Sequence, residues 1–104
     1  MSAYWDKLNS GGIYDPATDT WESISELNAP TPRDSDIAFW IGSKMLIWSG
    51  FTSDASYLNT GGLYDPGLDQ WQPTSTTNSP SPRSIPAAVF TGSKVIAWGG
   101  RNSD

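Results

Sequence analysis

Residues 8–16 read Leu8-Asn9-Ser10-Gly11-Gly12-Ile13-Tyr14-Asp15-Pro16, and residues 58–66 read Leu58-Asn59-Thr60-Gly61-Gly62-Leu63-Tyr64-Asp65-Pro66. The two stretches stand 50 residues apart, and the same offset aligns the whole chain without a gap. Asp19 and Trp21 fall on Asp69 and Trp71, and Pro30, Pro32 and Arg33 fall on Pro80, Pro82 and Arg83. Gly42-Ser43-Lys44 falls on Gly92-Ser93-Lys94, and Trp48 on Trp98. Twenty of the fifty aligned pairs are identical. The chain is therefore two copies of one supersecondary unit, residues 1–50 and 51–100, and self-similarity at such a period marks a repeat architecture.

Each copy reads as four short strands. Asp36–Ile41 is apolar and ends at Gly42-Ser43-Lys44, a hairpin-turn signal. Met45–Ser49 returns, and residues 51–59 read as a polar loop. Ser10–Tyr14 and Trp21–Ser25 are the other two strands, joined through the turn-rich stretch 15–20. The second copy gives Pro86–Thr91, Val95–Gly99, Thr60–Tyr64 and Trp71–Ser75. No segment sustains the i, i+3, i+4 apolar spacing of a helix. The strands 37–41 and 45–48 are apolar at every position, which predicts sheets covered on both faces rather than a two-layer sandwich with a polar exterior.

Composition supports this and excludes much chemistry. The 104 residues include 10 Gly, 8 Pro and 6 Trp, and only 16% are charged. Turn formers and aromatics at low charge suit short strands and tight turns. The net charge is −5. Nucleic acids and anionic membranes both call for a basic stripe, so neither is expected as a partner. No apolar run approaches a transmembrane helix and no signal-peptide pattern opens the sequence. With no His and no Cys, a Ser-His-Asp triad, His- or thiolate-held metals and disulfides are absent. No cofactor is expected, and nothing indicates a compartment.

The repeat resembles the kelch motif of β-propellers. That pattern is an apolar hairpin ending in a Gly-Gly doublet, a variable loop, then Tyr and Trp separated by six residues. Gly99-Gly100 is the doublet, Ser49-Gly50 its degraded counterpart, and Tyr14 with Trp21 and Tyr64 with Trp71 give the Tyr-x6-Trp spacing twice. Bacterial members often carry Gly-His before the first strand, where this chain has Ser35-Asp36 and Ile85-Pro86. The resemblance implies an all-β, kelch-like β-propeller with two four-stranded blades per chain. Tyr14, Trp21, Trp48, Tyr64, Trp71, Trp98, Gly99 and Gly100 are then structural repeat positions.

Propellers need about four to eight blades. The strand phase here gives one complete blade at about 36–75 and half a blade at each end, and the two halves are complementary. Pairing them between chains is a head-to-tail contact that closes a ring when the rotation permits. A homotrimer of six blades is expected first, and a homotetramer of eight second. Residues 101–104 overlap in register with 1–4, as fits a natural single domain, an excised piece or a designed one equally.

Function is expected to be non-catalytic. The two copies differ most at 1–7 against 51–57 and at 34–37 against 84–87, so variation gathers on one loop-bearing face. The resemblance implies that this face, near the central channel, binds protein or peptide segments. Arg33, Asp34, Asp36, Phe51, Tyr57, Arg83 and Arg101 are the candidates, Arg33 and Arg83 as partners for carboxylates or as braces of the loop between blades, and Phe51, Tyr57 and Arg101 as added contact surface. The alternative is a carbohydrate-binding, lectin-like ring that stacks sugars on tryptophan. Kelch propellers with copper-radical or hydrolase chemistry are known, but the lack of His and Cys argues against an enzyme here.

Overall fold

A computed structural model describes residues 5–103. Residues 1–4 and 104, and with them part of the overlap between the termini, lie outside the described residues. The chain is all-β: eight strands, with no helix among the described residues. They are β1 (Gly12–Asp15), β2 (Thr20–Ser23), β3 (Ile37–Trp40), β4 (Met45–Phe51), β5 (Tyr57–Asp65), β6 (Gln70–Pro73), β7 (Ala87–Phe90) and β8 (Val95–Trp98). All pairings are antiparallel. β3-β4-β5-β6 form one blade-like four-stranded sheet, flanked by the separate hairpins β1-β2 and β7-β8.

Local chemistry explains the turns. In the β3–β4 hairpin Ile41 N–H donates to Lys44 C=O at 2.9 Å, with Gly42 at φ +101° in the first central position. Thr91, Lys94 and Gly92 repeat this in the β7–β8 hairpin. A two-residue hairpin turn needs this glycine because a side chain resists that φ. Between β5 and β6, Asp65 accepts from Gly67 N–H at 2.9 Å, and Tyr64 O–H donates to Asp69 at 2.6 Å. Asp15, Ala17, Tyr14 and Asp19 repeat both bonds between β1 and β2.

The expected loop over 51–59 is shorter than the sequence suggests. β4 runs on to Phe51 and β5 starts at Tyr57, so only residues 52–56 turn. Phe51 lies opposite Tyr57 with ring centroids 4.8 Å apart. That contact and a bulge between Trp48 and Gly50 carry the pairing past the point where polarity rises. The strands expected to end at Ser25 and Ser75 end two residues sooner. Ser25 spends its backbone on the next sheet: its N–H donates to Asp69 and its C=O accepts from Trp71 Nε1.

The core sits in the four-stranded sheet, where Trp48 and Tyr64 are the buried hydrophobic side chains among the described residues. The molecule is a slab of 46 × 40 × 21 Å with a radius of gyration of 14.4 Å. A compact chain of this length would give about 13 Å. Cover on both faces of the apolar strands is incomplete. β3 alternates between half-buried and exposed, with Trp40 57% exposed.

Candidate functional site

The variable positions come together along one rim through backbone bridges. Asp34 and Phe51 exchange N–H···O=C bonds of 3.1 and 2.9 Å. Gly50 N–H donates to Arg83 C=O, Arg83 N–H to Leu58 C=O, and Ser84 and Arg101 exchange bonds of 2.8 and 3.0 Å. Ile85 N–H donates to Ser35 C=O at 2.9 Å. This seam holds the β7-β8 hairpin to the central sheet and brings Asp34, Phe51, Tyr57, Arg83 and Arg101 into one neighbourhood.

The side chains along it differ in availability. Arg33 is buried and all five of its N–H donors are used. Nε donates to Thr31 C=O, Nη1 to the Ser49 and Thr60 carbonyls, and Nη2 to the Thr31 and Thr60 hydroxyls. Burial lowers its pKa from the ordinary guanidinium value, and Asp36 opposes that shift. Arg33 thus braces the loop before β3 against β4 and β5. Asp36 is half-buried, and burial raises its carboxyl against the pull of its own backbone N–H and of Arg33. Asp34 is exposed and pairs with Lys7 at 2.8 Å. Phe51 and Tyr57 pack on each other at strand ends rather than projecting from a loop.

Arg83 is the same residue in the second copy, with fewer partners. Nε donates to Ser81 C=O, Nη1 to Gly99 C=O and Nη2 to the Ser81 hydroxyl. The two bonds that Arg33 makes to Thr60 have no counterpart. An open pocket of about 320 Å³, lined by Arg83, Gly99, Gly100, Arg101 and Asn102, lies beside it.

The repeated aromatics show the same contrast. Tyr64 is 3% exposed and Tyr14 42%. Trp48 donates Nε1–H to Asn59 C=O and is buried, whereas Trp98 is exposed and makes no hydrogen bond among the described residues. Trp71 donates to Ser25 C=O, and Trp21, 70% exposed, donates to nothing described. Within each pair of copies the local geometry is preserved: Tyr–Trp centroids are 5.0 Å apart in both. What differs is the neighbour: a further strand beside Trp48 and Tyr64, and the Ser25 segment beside Trp71.

Sequence reasoning missed the polar parts of this scheme. Thr60 and Ser25 supply the acceptors for Arg33 and Trp71. A hydroxyl at the matching places of both copies, Ser10 with Thr60, was the signal available for the first; Trp71 donates to a backbone carbonyl, which no side-chain type marks. No family model matches the chain. No curated protein matches it either.

Proposed function

We propose that this chain is a non-catalytic, self-assembling unit of a kelch-like β-propeller, contributing two blades to a ring that further copies complete. Three copies give six blades and four give eight. The rim carrying Asp34, Asp36 and Arg101 is the face offered to a protein or peptide segment. The observation that carries this reading is the set of repeat pairs that share identity and local geometry but not burial. Trp48, Tyr64 and Trp71 have neighbours that Trp98, Tyr14 and Trp21 lack, and a second chain end supplies the missing ones. Exposed large hydrophobics at sheet edges are a hazard unless something covers them.

The missing cover also accounts for the exposed tryptophans without a sugar. The lack of His and Cys supports a role without metal or thiol chemistry. Native mass with light scattering tests the reading. A mass of about 34 kDa, three times the 11.3 kDa chain, is expected, and about 45 kDa signals the tetramer. A folded species that stays at the mass of one chain overturns it.

A further inference from the structure

We infer that the free edge of β8 takes the free edge of β1 from a second copy in one register only, and that this register is written into the chain as the β4–β5 pairing. The inference rests on the assembly reading above and adds the residues that make the contact.

The template is explicit. Met45 lies opposite Tyr64, Leu46 opposite Leu63, Ile47 opposite Gly62 and Trp48 opposite Gly61. Moved by one repeat, Val95 lies opposite Tyr14, Ile96 opposite Ile13, Ala97 opposite Gly12 and Trp98 opposite Gly11 of the second copy. The unspent polar groups then find partners. Trp98 Nε1 reaches the Asn9 carbonyl, as Trp48 reaches Asn59. The two idle donors of Arg83 reach the Ser10 carbonyl and hydroxyl, as Arg33 reaches Thr60. On the outer side, Trp21 donates to Ser75 C=O and Asp19 accepts from Ser75 N–H, as Trp71 and Asp69 do with Ser25. One docking step satisfies all of them together, and a slip of two residues satisfies none.

Gly11 is an independent observation for the same register. At Gly61 an added Cβ meets the Ile47 carbonyl oxygen at 2.1 Å and the Trp48 Cα at 2.9 Å, so β4 and β5 approach as only glycine permits. At Gly11 an added Cβ meets only Ile24 Cδ1 at 3.7 Å, an ordinary contact. A single chain has no steric need for glycine there. A strand arriving beside it as β4 arrives beside Gly61 creates that need.

The chain has no Cys, so introduced pairs report without background. Residues directly opposite in antiparallel strands have Cα atoms about 4.5–5.5 Å apart, within disulfide reach. Chains carrying Ile13→Cys are mixed with chains carrying Ile96→Cys, or with chains carrying Lys94→Cys for a two-residue slip. Mild oxidation follows, and native mass is recorded before it. The inference predicts a covalent dimer from the Ile13/Ile96 mixture at least tenfold faster than from the Ile13/Lys94 mixture. It also predicts that Gly11→Ala keeps the circular dichroism of the wild-type chain and loses the assembly. An assembly of full mass that links through Lys94, links through neither, or tolerates Gly11→Ala overturns the register while the assembly reading stands. A wild-type chain found only at the mass of one copy overturns both.

Discussion

Trp48 and Trp98 occupy the same place in successive repeats, yet Trp48 is 8% exposed and Trp98 78%. Both lie in the second strand of an apolar hairpin, and both precede a residue at positive φ, Ser49 at +69° and Gly99 at +74°. The difference lies one strand away, where β5 covers Trp48 and no strand among the described residues covers Trp98. Trp48→Ala empties a filled site and should cost about 3 kcal/mol or more, as truncation of a buried aromatic does. Trp98→Ala should leave the stability of the single chain, read by urea denaturation, within about 0.5 kcal/mol of wild type and reduce the assembled fraction. Denaturation and sedimentation of both variants check this, and equal losses of stability would refute it.

Ser49 is a stabilising substitution in waiting. It is fully buried, its hydroxyl has no hydrogen-bond partner among the described residues, and its backbone sits at φ +69°. An unpartnered buried hydroxyl costs about 1–3 kcal/mol, and the left-handed conformation is cheap only for glycine. The other copy already has Gly99 there. Ser49→Gly should therefore raise stability by about 1–2 kcal/mol, read as a higher urea midpoint at unchanged slope. A lower midpoint would show that the hydroxyl is satisfied.

The two arginines should separate in the same way. Arg33 uses five donors in a planar fork that a lysine ammonium cannot reproduce. Arg33→Lys strands the carbonyls of Ser49 and Thr60 and should cost about 2–3 kcal/mol. Arg83→Lys breaks fewer bonds in the single chain and should cost less than half as much, with its main effect on assembly. Equal costs in dilute, unassembled chains would remove the asymmetry.

Much of this is legible in the sequence alone. The offset of 50 fixes the repeat, and Gly42-Ser43-Lys44 with Gly92-Ser93-Lys94 mark both hairpin turns. Tyr14/Trp21 and Tyr64/Trp71 mark the other paired strands. The limits of β4 and β5 were not legible. Thr52-Ser53-Asp54-Ala55-Ser56 is a turn sequence that hides the pairing of Phe51 with Tyr57 across it. The sequence supports a bracing role for Arg33 without showing what it braces, because its distant acceptors, Ser49 and Thr60, lie 16 and 27 residues away and two of those bonds end on backbone oxygens. Those contacts exist only once the sheet has formed.

Alkaline and acid behaviour follow from the burial of Tyr64 and from its hydrogen bond to Asp69. Tyr64 is buried, which with the bond to Asp69 pushes its pKa up to about 12. The folded chain holds the phenol proton longer than the unfolded chain, whose tyrosine titrates near its ordinary value of about 10. The stability from this group is therefore complete below pH 10 and is lost as pH rises from about 10 to about 12. Asp69 is shifted down, first by the Tyr64 hydroxyl and then by Ser25 N–H, so its contribution is present above the ordinary carboxylate range and is lost as pH falls through its lowered value. Tyr14, raised first by its bond to Asp19, acts in the alkaline range with the same sign. Urea midpoints against pH should fall between pH 10 and 12 for the wild-type chain and fall less for Tyr64→Phe. An unchanged slope in the variant would assign the alkaline loss elsewhere.

The inferred junction register carries one unfavourable feature, and it gives the last test. Phe51 faces Tyr57 inside the chain, so the matching pair between chains is Arg101 opposite Lys7, two cations where the template has two rings. Like charges directly opposite in a sheet destabilise the pairing. Asp34, held at 2.8 Å by Lys7, offsets part of that charge. Each chain also carries −5, so copies repel one another at low ionic strength. Both effects are screened by salt, so assembly should strengthen as salt rises from about 0.01 to 0.15 M, where the Debye length falls from about 30 to 8 Å. Arg101→Phe removes the local clash and restores the aromatic of the template. It should tighten association up to about fivefold per junction, the equivalent of about 1 kcal/mol, and it makes each chain one unit more negative. Dissociation constants for both chains at the two salt levels check this. Weaker assembly of Arg101→Phe at 0.15 M would mean that Arg101 does not face Lys7 across the junction.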